Sequence, residues 1–244
     1  MPAQTIGIVA HSAEGASLCF LTACREGAVH MGEHMHPPIV MSAVPMALSM
    51  PGWRSGDHDE VAQHLAAGVE MVARAGAAFF ICPDNTAHIV LEQIIDRLPL
   101  PGLHIAHVVR AEIIARGFRR VGLLGTNWTM TGPVYPHALT PKGIEVMVPD
   151  AATRGMLDGL IFNELCNGIF TDACTQAFVK AIDDLKSRGA EAVILGCTEI
   201  PLVITAANSP LPVLDSTRLL AKHAVAVALR QGDPLPARGW IAQG

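Results

Sequence analysis

The chain is poor in the residues that mark several common chemistries. Only 5% of its 244 residues are aromatic and only 16% are charged. Lysine occurs at just four positions, Lys142, Lys180, Lys186 and Lys222. None follows a strand in a cofactor-like setting, so no pyridoxal Schiff base is expected. No glycine-rich phosphate loop is present, since Gly122 and Gly125 alone are too sparse to form one. The six cysteines have neither paired nor C-x-x-C spacing and read as reduced thiols, not a disulfide framework. No acidic or cysteine residue completes a ligand set with His30, His34 and His36, so no metal is expected. A net charge of −5 gives no reason to expect nucleic acid or an anionic membrane as partner. The most apolar stretch, residues 37–53, contains Pro45 and Pro51 and is too short to span a bilayer. Residues 1–5 carry no basic region before the first strand, so no secretory signal is expected and the chain reads as cytoplasmic.

What is present is aliphatic. Half the residues are apolar, and Ala, Val, Ile and Leu do most of the filling, which suits parallel sheets covered by helices. Strand-like runs at 5–9, 38–44, 77–81, 103–106, 119–124, 144–148 and 211–214, with another ending at Gly196, alternate with helical spacing. Helices are expected at 16–26, 60–75 (capped by Asp59), 85–98, 108–116, 155–168, 171–189, 198–206 and 217–230, with 51–59 as a loop. The alternation predicts an α/β fold with parallel sheets.

The chain also repeats itself. Residues 76–86 align without gaps on residues 189–199, placing Gly76 on Gly189, Ile81 on Ile194 and Asp84 on Cys197. Residues 5–9 resemble 120–124 at nearly the same offset, with Gly7 on Gly122. Two strand–turn–helix matches at one spacing imply two similar half-chains. The expected architecture is two similar lobes, each a parallel sheet flanked by helices, with the active site in the cleft between them. Residues 1–100 with 208–244 form the first lobe in this scheme and 101–207 the second, with a linker at 99–102. Asp84 and Cys197 then meet across the cleft.

Cys197 follows Gly196 at a strand exit, where α/β proteins place their chemistry. Thr198 and Glu199 suit the first positions of a helix, and a helix N-terminus lowers the pKa of a thiol placed there. Asp84 has an ordinary reading as a helix N-cap, which is compatible with a chemical one. A carboxyl in an apolar cleft beside a thiolate is expected to have a raised pKa. His11 and Ser12 lie at the exit of the first strand. Cys19, Cys24, Cys82, Cys166 and Cys174 read as core, and His88 as a packing residue.

At the two matched turns the chain resembles the cofactor-independent aspartate/glutamate racemase family, most of all its aspartate racemase branch. The motif Leu195-Gly196-Cys197-Thr198-Glu199-Ile200-Pro201 matches the family's second catalytic motif, and further matches run along almost the whole chain, among them Leu211-Pro212-Val213-Leu214-Asp215-Ser216-Thr217-Arg218. The first motif reads Pro83-Asp84-Asn85-Thr86-Ala87-His88, with aspartate where the family has its first cysteine. Asn167 stands where the aspartate branch has a lysine that helps hold an acidic substrate. The resemblance implies a racemase or epimerase acting at the α-carbon of a small amino acid or related carboxylate, with Asp84 and Cys197 as the acid–base pair. It implies that N–H groups near Asn85, Thr86, Thr198 and Glu199, with the hydroxyls of Thr126 and Thr129, bind the α-carboxylate. His11 and Ser12 are further substrate contacts in this scheme. Dimers are common in the resembled family, so a homodimer is an expectation from the resemblance alone. Two other readings stand beside this one. One is a different reaction on the same scaffold: decarboxylation of a substituted malonate, or an isomerase, hydrolase or lactam-forming enzyme with Cys197 as nucleophile. The other is a non-catalytic two-lobed protein that binds a small ligand.

Overall fold

Buried strands and amphipathic helices alternate along the chain in the computed structural model, which describes residues 3–230 and 234–242. The chain divides into two units, Met1–Val108 with Thr217–Gly244, and Val109–Ser216. In order, the first stretch forms β1 (Ile6–Ala10), α1 (Ala13–Met31), β2 (Ile39–Ala43), α2 (Met50–Ser55), α3 (His58–Arg74), β3 (Phe79–Ile81), α4 (His88–Ile94), β4 (Gly102–Leu103) and α5 (Ile105–Arg116). There follow β5 (Arg120–Gly125), α6 (Asn127–Thr131), α7 (Val134–Leu139), β6 (Glu145–Met147), α8 (Ala151–Asn163), α9 (Asp172–Ser187), β7 (Ala192–Gly196), β8 (Val213–Asp215) and α10 (Ser216–Leu229).

Each unit holds one four-stranded parallel sheet, ordered β2-β1-β3-β4 in the first and β6-β5-β7-β8 in the second. The orders are the same once β1–β4 are matched to β5–β8, which gives the sequence repeat a structural meaning. The paired glycines show why those positions repeat. A Cβ on Gly7 would lie 2.8 Å from Val72 of α3, and one on Gly122 would lie 2.9 Å from Leu185 of α9, so each central strand needs glycine where a helix crosses it closely. Gly76 and Gly189 end those same helices with φ of 90° and 96°, a left-handed conformation that glycine adopts freely.

Burial follows the helical period. α3 turns Val61, Leu65, Val69 and Val72 inward, and α9 turns Phe178, Ile182 and Leu185 inward. In the first unit Ile6, Ile8, Phe79 and Ile81 pack with Leu220, Ala224 and Val225 of α10. In the second, Val193 and Leu195 pack with Leu157, Ile161, Phe178 and Ile182.

Several expected boundaries move. β4 pairs with β3 and β8 with β7, so residues 101–108 stay with the first unit and 208–216 with the second. In both units the fourth strand covers an edge of the third, and an uncovered edge is a row of unpaired backbone groups. The chain therefore returns to the first unit at Thr217, inside α10, and not at residue 208. The expected loop at 51–59 contains α2, and α3 is capped by Asp57, whose side chain accepts from the N–H groups of Asp59 and Glu60. The helix expected at 85–98 begins only at His88 and ends in a 3-10 turn, Ile95–Arg97. The helix expected at 198–206 is only the 3-10 turn Ile200–Leu202. Beyond it the Asn208 side chain closes the next turn, donating to Val203 O at 2.8 Å and accepting from the Thr205 N–H at 2.8 Å. Among the described residues, no helix is long and apolar enough to cross a membrane.

Candidate active site

In the first unit the parallel register Ile6↔Phe79 to Ile8↔Ile81 brings the exits of β1 and β3 side by side. His11 leaves β1, and Cys82, Pro83 and Asp84 leave β3. His11 is 7% exposed, and its Nδ1 lies 2.5 Å from Asp84 Oδ2. The second carboxyl oxygen of Asp84 accepts from the Ala87 N–H at 3.1 Å, so the capping role is also present. The Asp84 carbonyl accepts from His88 Nδ1 at 2.8 Å, while the Ile105 N–H donates to His88 Nε2 at 3.2 Å. His88 thus uses one ring nitrogen as donor and the other as acceptor, which is the pattern of a neutral imidazole. Burial, followed by the charge of His104, pushes its pKa down to about 3.

Asp84 is corrected by this geometry. Burial alone would raise its pKa, but the His11 hydrogen bond and charge, the Ala87 N–H and His88 together hold the carboxyl below its ordinary value. It is a carboxylate at neutral pH, not the raised acid expected. His11 Nδ1 is consequently the donor to it. Asn85 and Thr86 are buried in the turn that follows. Ser12 takes the N-cap position of α1 in an extended conformation.

In the second unit the register Gly125↔Gly196 sets the exits of β5 and β7 side by side. Neither glycine could carry a side chain: a Cβ on Gly196 would lie 2.8 Å from Leu124 O, and one on Gly125 2.7 Å from Gly196 O. After β5, the Thr126 hydroxyl oxygen accepts from the Thr129 N–H and donates to the Thr129 hydroxyl, both at 3.2 Å. After β7, the Cys197 thiol donates to Glu199 Oε2 at 2.9 Å, and the Thr198 hydroxyl donates to the same oxygen at 3.1 Å. Glu199 is 2% exposed, and its Oε1 has no hydrogen-bond partner among the described residues.

The expected activation of Cys197 by a helix N-terminus is corrected as well. No α-helix follows the thiol. Burial first, then the Glu199 charge, then Cys166 push its pKa well above the ordinary thiol value, against the lesser pull of the Glu199 N–H. Cys197 rests as a protonated thiol hydrogen-bonded to a carboxylate. Cys82 is fully buried with its own pKa raised by burial and by Asp84, in keeping with a core role.

The structure therefore gathers His11 and Asp84, with Asn85 and Thr86, in the first unit, and Thr126, Thr129, Cys197, Thr198 and Glu199 in the second. Sequence reasoning placed His11 as a separate substrate contact and missed its bond to Asp84. The signal was available only through strand pairing, because the two residues are 73 apart. It also put Glu199 at a helix start, whereas the carboxylate sits on the thiol two residues before it.

Comparison with known proteins bears on this arrangement. A family model described as Asp/Glu/hydantoin racemase matches residues 9–224. The chain is 30% identical over 176 residues to the broad specificity amino-acid racemase RacX of Bacillus subtilis (strain 168), covering 71% of this chain and 74% of that protein. A solved Yersinia pestis protein classed with the Asp/Glu racemases superposes with a TM-score of 0.83 at 31% identity, over 93% of this chain and 100% of that one. An aspartate racemase homologue from Pyrococcus horikoshii OT3 superposes with a TM-score of 0.78 at 28% identity, over 93% and 100% of the two chains.

Proposed function

The chain belongs to the Asp/Glu/hydantoin racemase family, and from that premise we propose that it is a cofactor-independent racemase or epimerase acting at the α-carbon of a small amino acid or related carboxylate. The observation that carries this reading is the buried Cys197 thiol on the Glu199 carboxylate, at the exit of a buried parallel strand. Inverting an α-carbon needs one group to take its proton and another to deliver a proton to the opposite face. A thiol with its own proton acceptor can do either. As acid, Cys197 gives its proton to the carbanion and becomes a thiolate. As base, it first passes its proton to Glu199, and the thiolate then takes the α-proton.

The other proton-handling group comes from the first unit, where the Asp84 carboxylate is bound to His11. Backbone N–H groups at Asn85, Thr86, Thr198 and Glu199, with the Thr126 and Thr129 hydroxyls, would bind the α-carboxylate and stabilise the enediolate as charge moves onto its oxygens.

The substrate favoured is one without an acidic side chain. Asn167, which stands in place of a lysine, donates its amide to Phe162 O at 2.9 Å and Asn163 O at 3.2 Å and offers no cation. The broad specificity named for the Bacillus subtilis relative is consistent with small neutral amino acids as candidates.

The test is incubation of the protein with a panel of amino and dicarboxylic acids in deuterated water, followed by NMR and mass. Racemisation predicts α-deuteration with both enantiomers appearing, lost in Cys197→Ala. Loss of carbon dioxide from a substituted malonate with no α-exchange of any amino acid would overturn the proposal.

A further inference from the structure

We infer that His11 is the proton-transferring group of the first unit and that Asp84 is the residue that positions it. The inference rests on the racemase reading and says which atom on this side exchanges the α-proton: His11 Nε2.

The geometry of the two side chains points this way. Both oxygens of Asp84 are engaged, Oδ2 by His11 Nδ1 at 2.5 Å and Oδ1 by the Ala87 N–H at 3.1 Å. Its carbonyl is engaged too, by the buried His88 ring. An ionised carboxylate spent on two donors is a poor proton carrier, because accepting a proton would disrupt one of those hydrogen bonds. It is well suited to holding a ring. With Nδ1–H donated to Asp84, the tautomer is set, and a neutral His11 carries its lone pair on Nε2. When Nε2 takes a proton, the carboxylate stabilises the imidazolium, and the ring keeps its orientation through the Nδ1 bond.

The proton balance closes. The Nε2 lone pair takes the α-proton, and the C–H electron pair moves into the enediolate of the substrate carboxylate. The Cys197 thiol then delivers its proton to the other face, leaving a thiolate in the second unit and an imidazolium in the first. In the reverse direction the thiolate removes the α-proton and the imidazolium returns its own through Nε2. Each direction uses one base and one acid, and solvent exchange restores the starting protonation.

The repeat gives the inference independent support. Asp84 aligns with Cys197 in sequence, yet it occupies the chemical place of Glu199. In the second unit a carboxylate, Glu199, accepts from the group that carries the proton. In the first unit Asp84 is the accepting carboxylate, which makes His11 the carrier.

The experiment measures racemisation and α-deuteration of each enantiomer separately, in wild type, His11→Gln and Asp84→Asn, using whichever neutral amino acid the wild type turns over fastest. His11→Gln is expected to lose racemisation by about 100-fold or more. It should still exchange the α-proton of one enantiomer, with retention, because Cys197 can remove and return a proton on its own face. Asp84→Asn, which keeps the shape of the side chain, should lower kcat with little change in KM, and imidazole added to His11→Ala should restore part of the rate. If His11→Gln fails to fold, the Asp84→Asn split between kcat and KM decides alone, and an unchanged kcat overturns the inference. A His11→Gln enzyme that racemises within about fivefold of wild type also overturns it, since the expected loss is far larger. So does an Asp84→Asn enzyme that alone shows the single-enantiomer exchange. A wild type that exchanges no α-proton in any amino acid instead sinks the racemase reading beneath it.

Discussion

Acidification should destabilise the first unit through one buried ring. His88 is fully buried, donates through Nδ1 to the Asp84 carbonyl and accepts at Nε2 from the Ile105 N–H. Protonating Nε2 would turn that acceptor into a donor facing a donor. Burial and His104 accordingly hold its pKa at about 3, against 6.5 for an unperturbed histidine. As pH falls below 6.5 the unfolded chain binds this proton and the folded chain does not, so stability declines until the folded ring also titrates near 3. Integrating over that window gives a loss of about 2 kcal/mol between roughly pH 7.5 and pH 5, and about 5 kcal/mol in all. The depressed pKa of Asp84 acts in the same direction but lies lower, because its stabilisation is lost only below the ordinary carboxylate range. The assay is chemical denaturation at a series of pH values for wild type and His88→Asn. The variant should start less stable, by about 1–3 kcal/mol for the Ile105 N–H it leaves unsatisfied. Its stability should then fall by about 2 kcal/mol less than that of wild type on going to pH 5. Parallel curves for the two proteins would refute the neutral, buried acceptor.

Two further outcomes follow from named contacts. Glu199→Gln removes the charge that opposes the Cys197 thiolate, so the pH midpoint for thiol alkylation should move down while staying above that of an exposed thiol, because burial is the largest cause. The same variant should slow α-proton exchange, having lost the carboxylate that takes the thiol's proton; an unchanged alkylation profile would remove Glu199 from the thiol's environment. Gly76→Ala should cost about 1–2 kcal/mol by thermal or denaturant unfolding, and the cost is purely conformational, since φ is 90° and no atom lies within 4 Å of the added Cβ.

The fold was readable because its signals are local and periodic. Helical spacing in α3 and α9, aliphatic strands and the glycines shared by the two halves all survive in a single sequence. The positions of Asp84 and Cys197 at strand exits were readable for the same reason. Their protonation was not. Thr198-Glu199 carries a helix-start signal, yet the segment is only a 3-10 turn followed by the Asn208 side-chain closure, and the dipole argument for a lowered thiol pKa goes with the missing helix. The lowered pKa of Asp84 depends on His11, which is adjacent only because β1 and β3 pair in register. The unit boundaries moved for a similar reason: β4 has two residues and β8 three, too little pattern to show which sheet each would join.

The two reversed pKa directions are one electrostatic fact. A carboxylate beside an imidazole is stabilised by the ring's proton, so Asp84 is pulled down. A carboxylate beside a thiol opposes the thiolate, so Cys197 is pushed up. In each unit the carboxylate favours a proton on its partner atom, Nδ1 in the first and Sγ in the second. The consequences differ because imidazole has a second nitrogen and a thiol has no second basic atom. A ring protonated at Nδ1 still presents a lone pair at Nε2, whereas a protonated sulfur is an acid until Glu199 takes its proton. A symmetric pair of cysteines must be set to opposite protonation states before it can invert a centre. Under the proposed mechanism the difference between imidazole and thiol would supply one base and one acid, with the Asp84 carboxylate fixing the proton on Nδ1 and so leaving Nε2 as the basic atom of a neutral ring.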